Sequence, residues 1–201
     1  MGSNPTPTAK CLKKYSLKQE KVIIGIVGRI GAGKDEAAKY LSKKLGWPIF
    51  QISAPLKIEV KKRGLELNRE NIQKMGVEFA KKHGDDYLAR LALESFRENG
   101  IVSGPRQLGQ IRYFKENSRF ILIFIDADDQ TRYRRVVSRA TVKEAKTLHE
   151  FIDDEREKDA LGPVQRLEDC IEMADYKIAN NSTLKALEDG LDKVVRDEKL
   201  R

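Results

Sequence analysis

Val22-Ile-Ile-Gly-Ile-Val27, followed at once by Gly28-Arg-Ile-Gly-Ala-Gly33-Lys34, decides how this chain reads. The first stretch is a short β-branched run, of the kind buried on both faces of a parallel sheet. The second fits G-x-x-x-x-G-K, in which small residues let backbone N–H groups turn inward around a phosphate. Ala37, Ala38, Leu41 and Leu45 then recur at helical spacing, and Gly46 is the stop. The N-terminus of that helix would point its positive end at the same anion. Lys34 would reach the outer phosphates as a point charge. The other reading of such a turn is a tight strand–helix connection that binds nothing.

Outward from this unit, strands and helices alternate. Residues 48–53, Gly100–Ser103, 120–125 and Tyr176–Ala179 read as further strands. Residues 55–63, 68–82, 85–98, 129–139 and 143–159 read as helices, and Ser182 as the cap of a last helix with Leu184, Leu187, Leu191 and Val194 on one face. Such alternation predicts a parallel sheet covered on both sides. Ligands then bind beyond the carboxyl ends of the strands, which puts the turns after Val27, Ser53, Ser103 and Ile125 at one rim.

The 201 residues fit one α/β domain with small inserts. With 40% hydrophobic and 35% charged residues, the composition is globular and excludes a disordered chain. The apolar runs are too short to cross a bilayer, and residues 1–20, a loose basic leader, lack a signal-peptide core. The two cysteines, Cys11 and Cys170, make neither a disulfide framework nor a zinc cluster, so we expect free thiols and a cytoplasmic location. A net charge of +8 favours polyanionic partners, either phosphorylated small molecules or nucleic acid. No nucleic-acid motif or aromatic stacking platform accompanies it.

The Gly33-Lys34-Asp35 sequence is similar to that of phosphomevalonate kinases and of phage-type deoxynucleoside monophosphate kinases. The overall layout resembles the P-loop kinases of nucleoside monophosphates and of dephospho-coenzyme A. The resemblance implies a three-layer α/β P-loop NTPase fold with a central parallel five-stranded sheet. It also implies an acceptor-binding helical insert at about 54–99 and a short lid at about 129–160. The cofactors it implies are ATP and Mg²⁺, held by Gly28, Arg29, Ile30, Gly31, Ala32, Gly33, Lys34, Asp35 and Glu36. Asp35 stands where the usual Ser or Thr hydroxyl binds magnesium, and its carboxylate could take the metal or the metal's water shell.

Ser103-Gly-Pro-Arg106-Gln-Leu-Gly-Gln110 resembles the Asp-Gly-Phe-Pro-Arg…Gln segment of adenylate-kinase-like enzymes, shortened by one residue. By that resemblance Arg106 grips an acceptor phosphate and Gln110 meets its base; the alternative is an ordinary Pro-Arg turn. Ser103 replaces the family's strand-end Asp, and Asp126 is a further carboxylate candidate. Ser53-Ala-Pro-Leu-Lys57 is similar to the acceptor side of the phage-type enzymes and nominates Lys57. Asp85, Asp86 and Tyr87 either touch the acceptor or cap a helix. The segment leading to Asn180 resembles the end of dephospho-coenzyme A kinases, where this turn packs against adenine.

Arg132, Arg135 and Arg139 share one helical face. Either they stabilise a transferring phosphoryl group, with Arg135 and Arg139 as the catalytic choices beside Lys34, or they pair with Asp153, Asp154, Glu155 and Glu157. The sequence therefore favours a kinase acting on a (deoxy)nucleoside monophosphate. Dephospho-coenzyme A kinase and a nucleotide-binding regulatory module are the alternatives.

Overall fold

The structure, a computed structural model, describes residues 20–139, 147–160 and 167–201. The leader at 1–19, Cys11 and part of the expected lid lie outside the described residues. One five-stranded sheet carries the fold, in the order β2-β3-β1-β4-β5. Its strands are β1 Val22–Val27, β2 Ile49–Gln51, β3 Gly100–Ser103, β4 Arg119–Asp126 and β5 Tyr176–Ala179. All pairings are parallel, and β1 lies between β3 and β4.

Strand alternation sorts the apolar run into two faces. On one face Ile24, Ile26, Ile121, Ile123 and Ile125 pack against α1 (Lys34–Leu45) and α9 (Leu184–Asp197), which contribute Ala37, Ala38, Leu41, Leu187 and Leu191. On the other face, Ile23 and Val102 meet α2 (Ser53–Lys62), α3 (Arg69–His83), α4 (Tyr87–Ser95) and α5 (Leu108–Asn117) through Leu56, Val60, Met75, Leu88 and Phe114. Val27, Leu122 and Phe124 are covered there by Ile111 of α5 and by Leu167 and Cys170 of α8 (Leu167–Glu172). Gly25 shares this second face. A Cβ at Gly25 would strike the Phe120 ring and come within 3.0 Å of Leu122.

The expected sheet and most helices stand, with differences at their edges. Helices α5 and α8 are absent from the sequence reading; each buries a pair three residues apart, Ile111/Phe114 and Leu167/Cys170, inside a polar stretch. The second strand is shorter than 48–53 because Ser53 already opens α2, with Pro55 in its first turn. The helix expected over 85–98 is only Tyr87–Ser95. Thr183, not Ser182, caps α9: its hydroxyl accepts from the Ala186 N–H at 3.2 Å. Leu184, in the first turn, is 54% exposed, and Val195 joins the buried face in its place.

Two further helices follow β4: α6 (Asp129–Ser138) and α7 (Leu148–Ala160). Among the described residues no helix is long and apolar enough to cross a membrane. Cys170 is free and buried, and burial pushes its thiol up to about 12.

Candidate active site

The loop between β1 and α1 is shaped by where its carbonyls go. Arg29 O accepts from Lys34 Nζ at 2.8 Å and from the Ala32 N–H at 3.3 Å. Ile30 O accepts from Arg132 Nη1 at 3.1 Å, Gly31 O from Arg135 Nη1 at 3.4 Å, and Ala32 O from Asn180 Nδ2 at 2.8 Å. The C=O and N–H of one peptide point opposite ways. Holding these carbonyls outward therefore turns the N–H groups of Gly31 and Gly33 toward the other side. Beyond them lie the first N–H groups of α1, which a helix leaves without intrahelical partners. The result is a nest of donors suited to an anion.

Two glycines make the curvature affordable in space. Gly31 has φ 78 and Gly33 has φ 103, both left-handed. A Cβ on Gly31 would lie 2.6 Å from the Arg132 carbonyl oxygen, and one on Gly33 would strike the Asn180 amide.

Lys34 is half-buried at the helix start. Burial, reinforced by the charge of Arg106, brings its ammonium from 10.5 to about 7. An anion in the nest would reverse that shift by restoring the charged form.

A cavity of about 840 Å³ opens beside the loop. It gathers Ile30, Gly31, Lys34 and Asp35 from the loop and α1, Lys57 from α2, Asn68 and Arg69 at the start of α3, Ser103 at the end of β3 and Arg106 after it, and Arg139 and Asp154 from the α6–α7 side. Of the four turns expected at the rim, those after Val27, Ser53 and Ser103 contribute to this cavity, and the turn after Ile125 does not line it. Arg69 belongs to it and is missing from the sequence reading. Its signal was available: an arginine in the first turn of a helix sits against the dipole, where a cation is out of place without an anion. Asn68 caps that helix by accepting from the Asn71 N–H at 2.9 Å.

Several of the expected residues have protein partners of their own. Arg29 turns its guanidinium to Glu168 of α8 at 2.5 Å, so its side chain is directed to a carboxylate. Glu36 pairs with Lys39 at 3.1 Å on the solvent side of α1. Gln110 is buried, and its amide is spent inside the turn: Oε1 accepts from the Arg106 N–H and Nε2 donates to Gln107 Oε1, both at 3.0 Å. It holds Arg106 in place, and it also lines the cavity. Asn180 is likewise buried and serves the loop at Ala32 and Gly33. Asp86 pairs with Arg90 at 3.2 Å, and Asp85 packs on Gly109.

The arginine face of α6 divides. Arg132 is 2% exposed and bound to Glu155 at 2.6 Å and Asp129 at 2.5 Å, one of the pairings the charge pattern allowed. Arg135 is half-buried against Gly31, and burial, together with the charge of Arg139, lowers its pKa. Arg139 follows the helix end and lines the cavity. Asp126 accepts from the Ala127 N–H at 2.9 Å and does not reach the cavity wall.

A second cavity of about 560 Å³ is lined by Arg29, Arg132, Glu155 and Glu168, residues already paired with one another. Among the described residues no cluster of three or more His, Cys, Asp or Glu could hold a metal ion. Magnesium needs no such cage, since it is commonly bound through one or two carboxylates plus phosphates and waters. Asp35, exposed at the cavity wall beside Lys34, fits that kind of site.

Residues 24–160 match the family described as an AAA domain. A UPF0200 protein of Methanosarcina barkeri is 30% identical over 171 residues, covering 81% of this chain and 88% of that protein. A UPF0200 protein of Methanocaldococcus jannaschii is 29% identical over 182 residues, covering 88% and 90%. Among solved structures, shikimate kinase from Acinetobacter baumannii in complex with shikimate superposes with a TM-score of 0.56 at 15% identity, covering 92% of this chain and 98% of that one. Shikimate kinase from Bacteroides thetaiotaomicron gives 0.54 at 17% identity, covering 89% and 99%. What these share with the present chain is a P-loop kinase-like fold.

Proposed function

The chain belongs to the AAA domain family and to the UPF0200 family, and on that premise we propose that it is an ATP-dependent phosphotransferase. Its acceptor is a small phosphorylated molecule, a (deoxy)nucleoside monophosphate by the resemblance of its motifs. One observation carries this reading: Lys34 and Asp35 of the loop share a cavity wall with Arg69, Arg106, Lys57 and Arg139. A nest for one polyanion thus faces guanidinium groups placed for a second.

The triphosphate sits on the amides of the loop and the first turn of α1, with Lys34 at its outer phosphates. Arg106, braced by Gln110, and Arg69 together hold the acceptor phosphate. Arg139 and Lys57 add positive charge where the phosphoryl group crosses. Asp35 would hold a magnesium ion, which would supply positive charge to neutralise the phosphates. No side-chain nucleophile is required, because such transfer is accelerated by positioning and electrostatic stabilisation.

The test is ADP release from ATP·Mg²⁺ across a panel of nucleoside monophosphates and phosphate-free analogues. The expected result is acceptor-dependent ADP, with Arg106→Ala and Arg69→Ala each raising the acceptor KM about tenfold or more at little change in the ATP KM. Equal effects on both KM values would remove the proposed clamp. ATP binding with no acceptor-dependent turnover would favour a nucleotide-binding regulatory module.

A further inference from the structure

Two peptides of the loop meet at Ile30, and both are held by one buried ion pair from outside the motif. Glu155 of α7 is 6% exposed; its Oε1 accepts from the Ile30 N–H at 3.1 Å. Its Oε2 accepts from Arg132 Nη1 at 2.6 Å, and that same nitrogen donates to Ile30 O at 3.1 Å. Asp129 takes the other terminal nitrogen of Arg132 at 2.5 Å, and the Phe151 ring lies 5.4 Å from the guanidinium.

Burying such a pair is costly, and apolar replacements of similar size are often as stable or more so. Its energetic value to the fold does not account for its presence. Its geometry does: the pair reads both the donor and the acceptor of one residue and so fixes two successive peptide planes. The second plane carries the Gly31 N–H toward the anion nest. We infer that Arg132 and Glu155 are positioning residues. They lock the phosphate loop in its anion-binding shape and make nucleotide affinity depend on α7 being docked against it. The inference rests on the nucleotide reading given above for its functional consequence, while the brace itself is a property of the chain without ligand.

Three variants test it: Glu155→Ala, Glu155→Gln and the double variant Arg132→Met/Glu155→Leu. Each is measured for ATP·Mg²⁺ binding by calorimetry, for thermal stability, and for hydrogen exchange of the loop amides with no nucleotide present. Glu155→Ala should weaken ATP binding on the order of ten- to a hundredfold and speed loop exchange. Glu155→Gln keeps a carbonyl acceptor for the Ile30 N–H and should recover part of both losses. The double variant should regain thermal stability yet remain weak in ATP binding, which a purely structural pair would not produce. Wild-type affinity in the stable double variant, or unchanged loop exchange in Glu155→Ala, overturns the inference. If the wild-type chain binds no ATP while loop exchange still rises in Glu155→Ala, the brace stands and the nucleotide reading falls.

Discussion

Replacing Lys34 by Met should make the ligand-free protein more stable near pH 6, although it removes the central residue of the motif. The reasoning starts from the buried ammonium, whose pKa falls from 10.5 to about 7 through burial and the nearby Arg106. At about 1.36 kcal/mol per pH unit, that fall separates the protonated and neutral forms by about 5 kcal/mol. Lys34 is only half-buried, so solvent screens part of this, and roughly 2–3 kcal/mol is the expected effect. The sign follows from proton counting. Between pH 7 and 10.5 the folded chain holds fewer protons at Lys34 than the unfolded chain, so stability rises with pH there. The penalty is complete below pH 7 and gone above 10.5. Lys34→Met carries none of it, and the hydrogen bond it loses leaves Arg29 O still accepting from the Ala32 N–H at 3.3 Å. For a chain of this size the gain corresponds to roughly 4–10 °C in Tm near pH 6, shrinking steadily toward alkaline pH. ATP should reverse the order, because phosphates keep the wild-type ammonium charged and give the variant little. Thermal unfolding of both proteins across pH 5.5–9.5, with and without ATP, reads all of this. A variant less stable at pH 6, or a difference that does not move with pH, refutes the argument.

Gly33→Ala forces a side chain into φ 103 and against the Asn180 amide. We expect a loss of about 1–3 kcal/mol in denaturant unfolding together with loss of ATP binding; wild-type values for both would mean that the loop is not held as described. Asp35→Asn should bind metal-free ATP about fivefold more tightly, since a carboxylate beside the phosphates is gone. With magnesium it should turn over more slowly and need more metal for half-maximal rate, and an unchanged magnesium dependence would remove Asp35 from the metal site.

The fold was legible because burial on both faces leaves a plain mark: Val22–Val27 is apolar at every residue but Gly25, and the glycines behind it occur in the one spacing a phosphate loop needs. Helices α5 and α8 left a fainter mark. Each buries only two or three side chains and mixes charged with neutral residues elsewhere, so the 3.6-residue pattern is one turn long. Within the site, Lys34, Asp35 and Arg106 could be named because each is tied to a motif. The rest depended on distances the chain does not write down. Arg132, Arg135 and Arg139 are equivalent by spacing, yet one is buried beneath the loop, one caps a carbonyl and one faces the cavity. Gln110 and Asn180 have the chemistry to meet a base, and the sequence does not show that their amides also brace Arg106 and the loop. Arg69 showed itself only as a charge at the wrong end of a helix.

The outward-facing carbonyls of the loop are held by Lys34, Arg132, Arg135 and Asn180, and the last of these arrives only with β5. Chains emerge from the ribosome N-terminus first. The glycine motif is therefore made well before the residue that holds its Ala32 carbonyl. A nascent or proteolytically clipped chain that stops before Asn180 keeps the signature and lacks the donor to its Ala32 carbonyl. On the nucleotide reading proposed above, stalled chains of increasing length should bind ATP only once Asn180 has emerged and reached the Ala32 carbonyl.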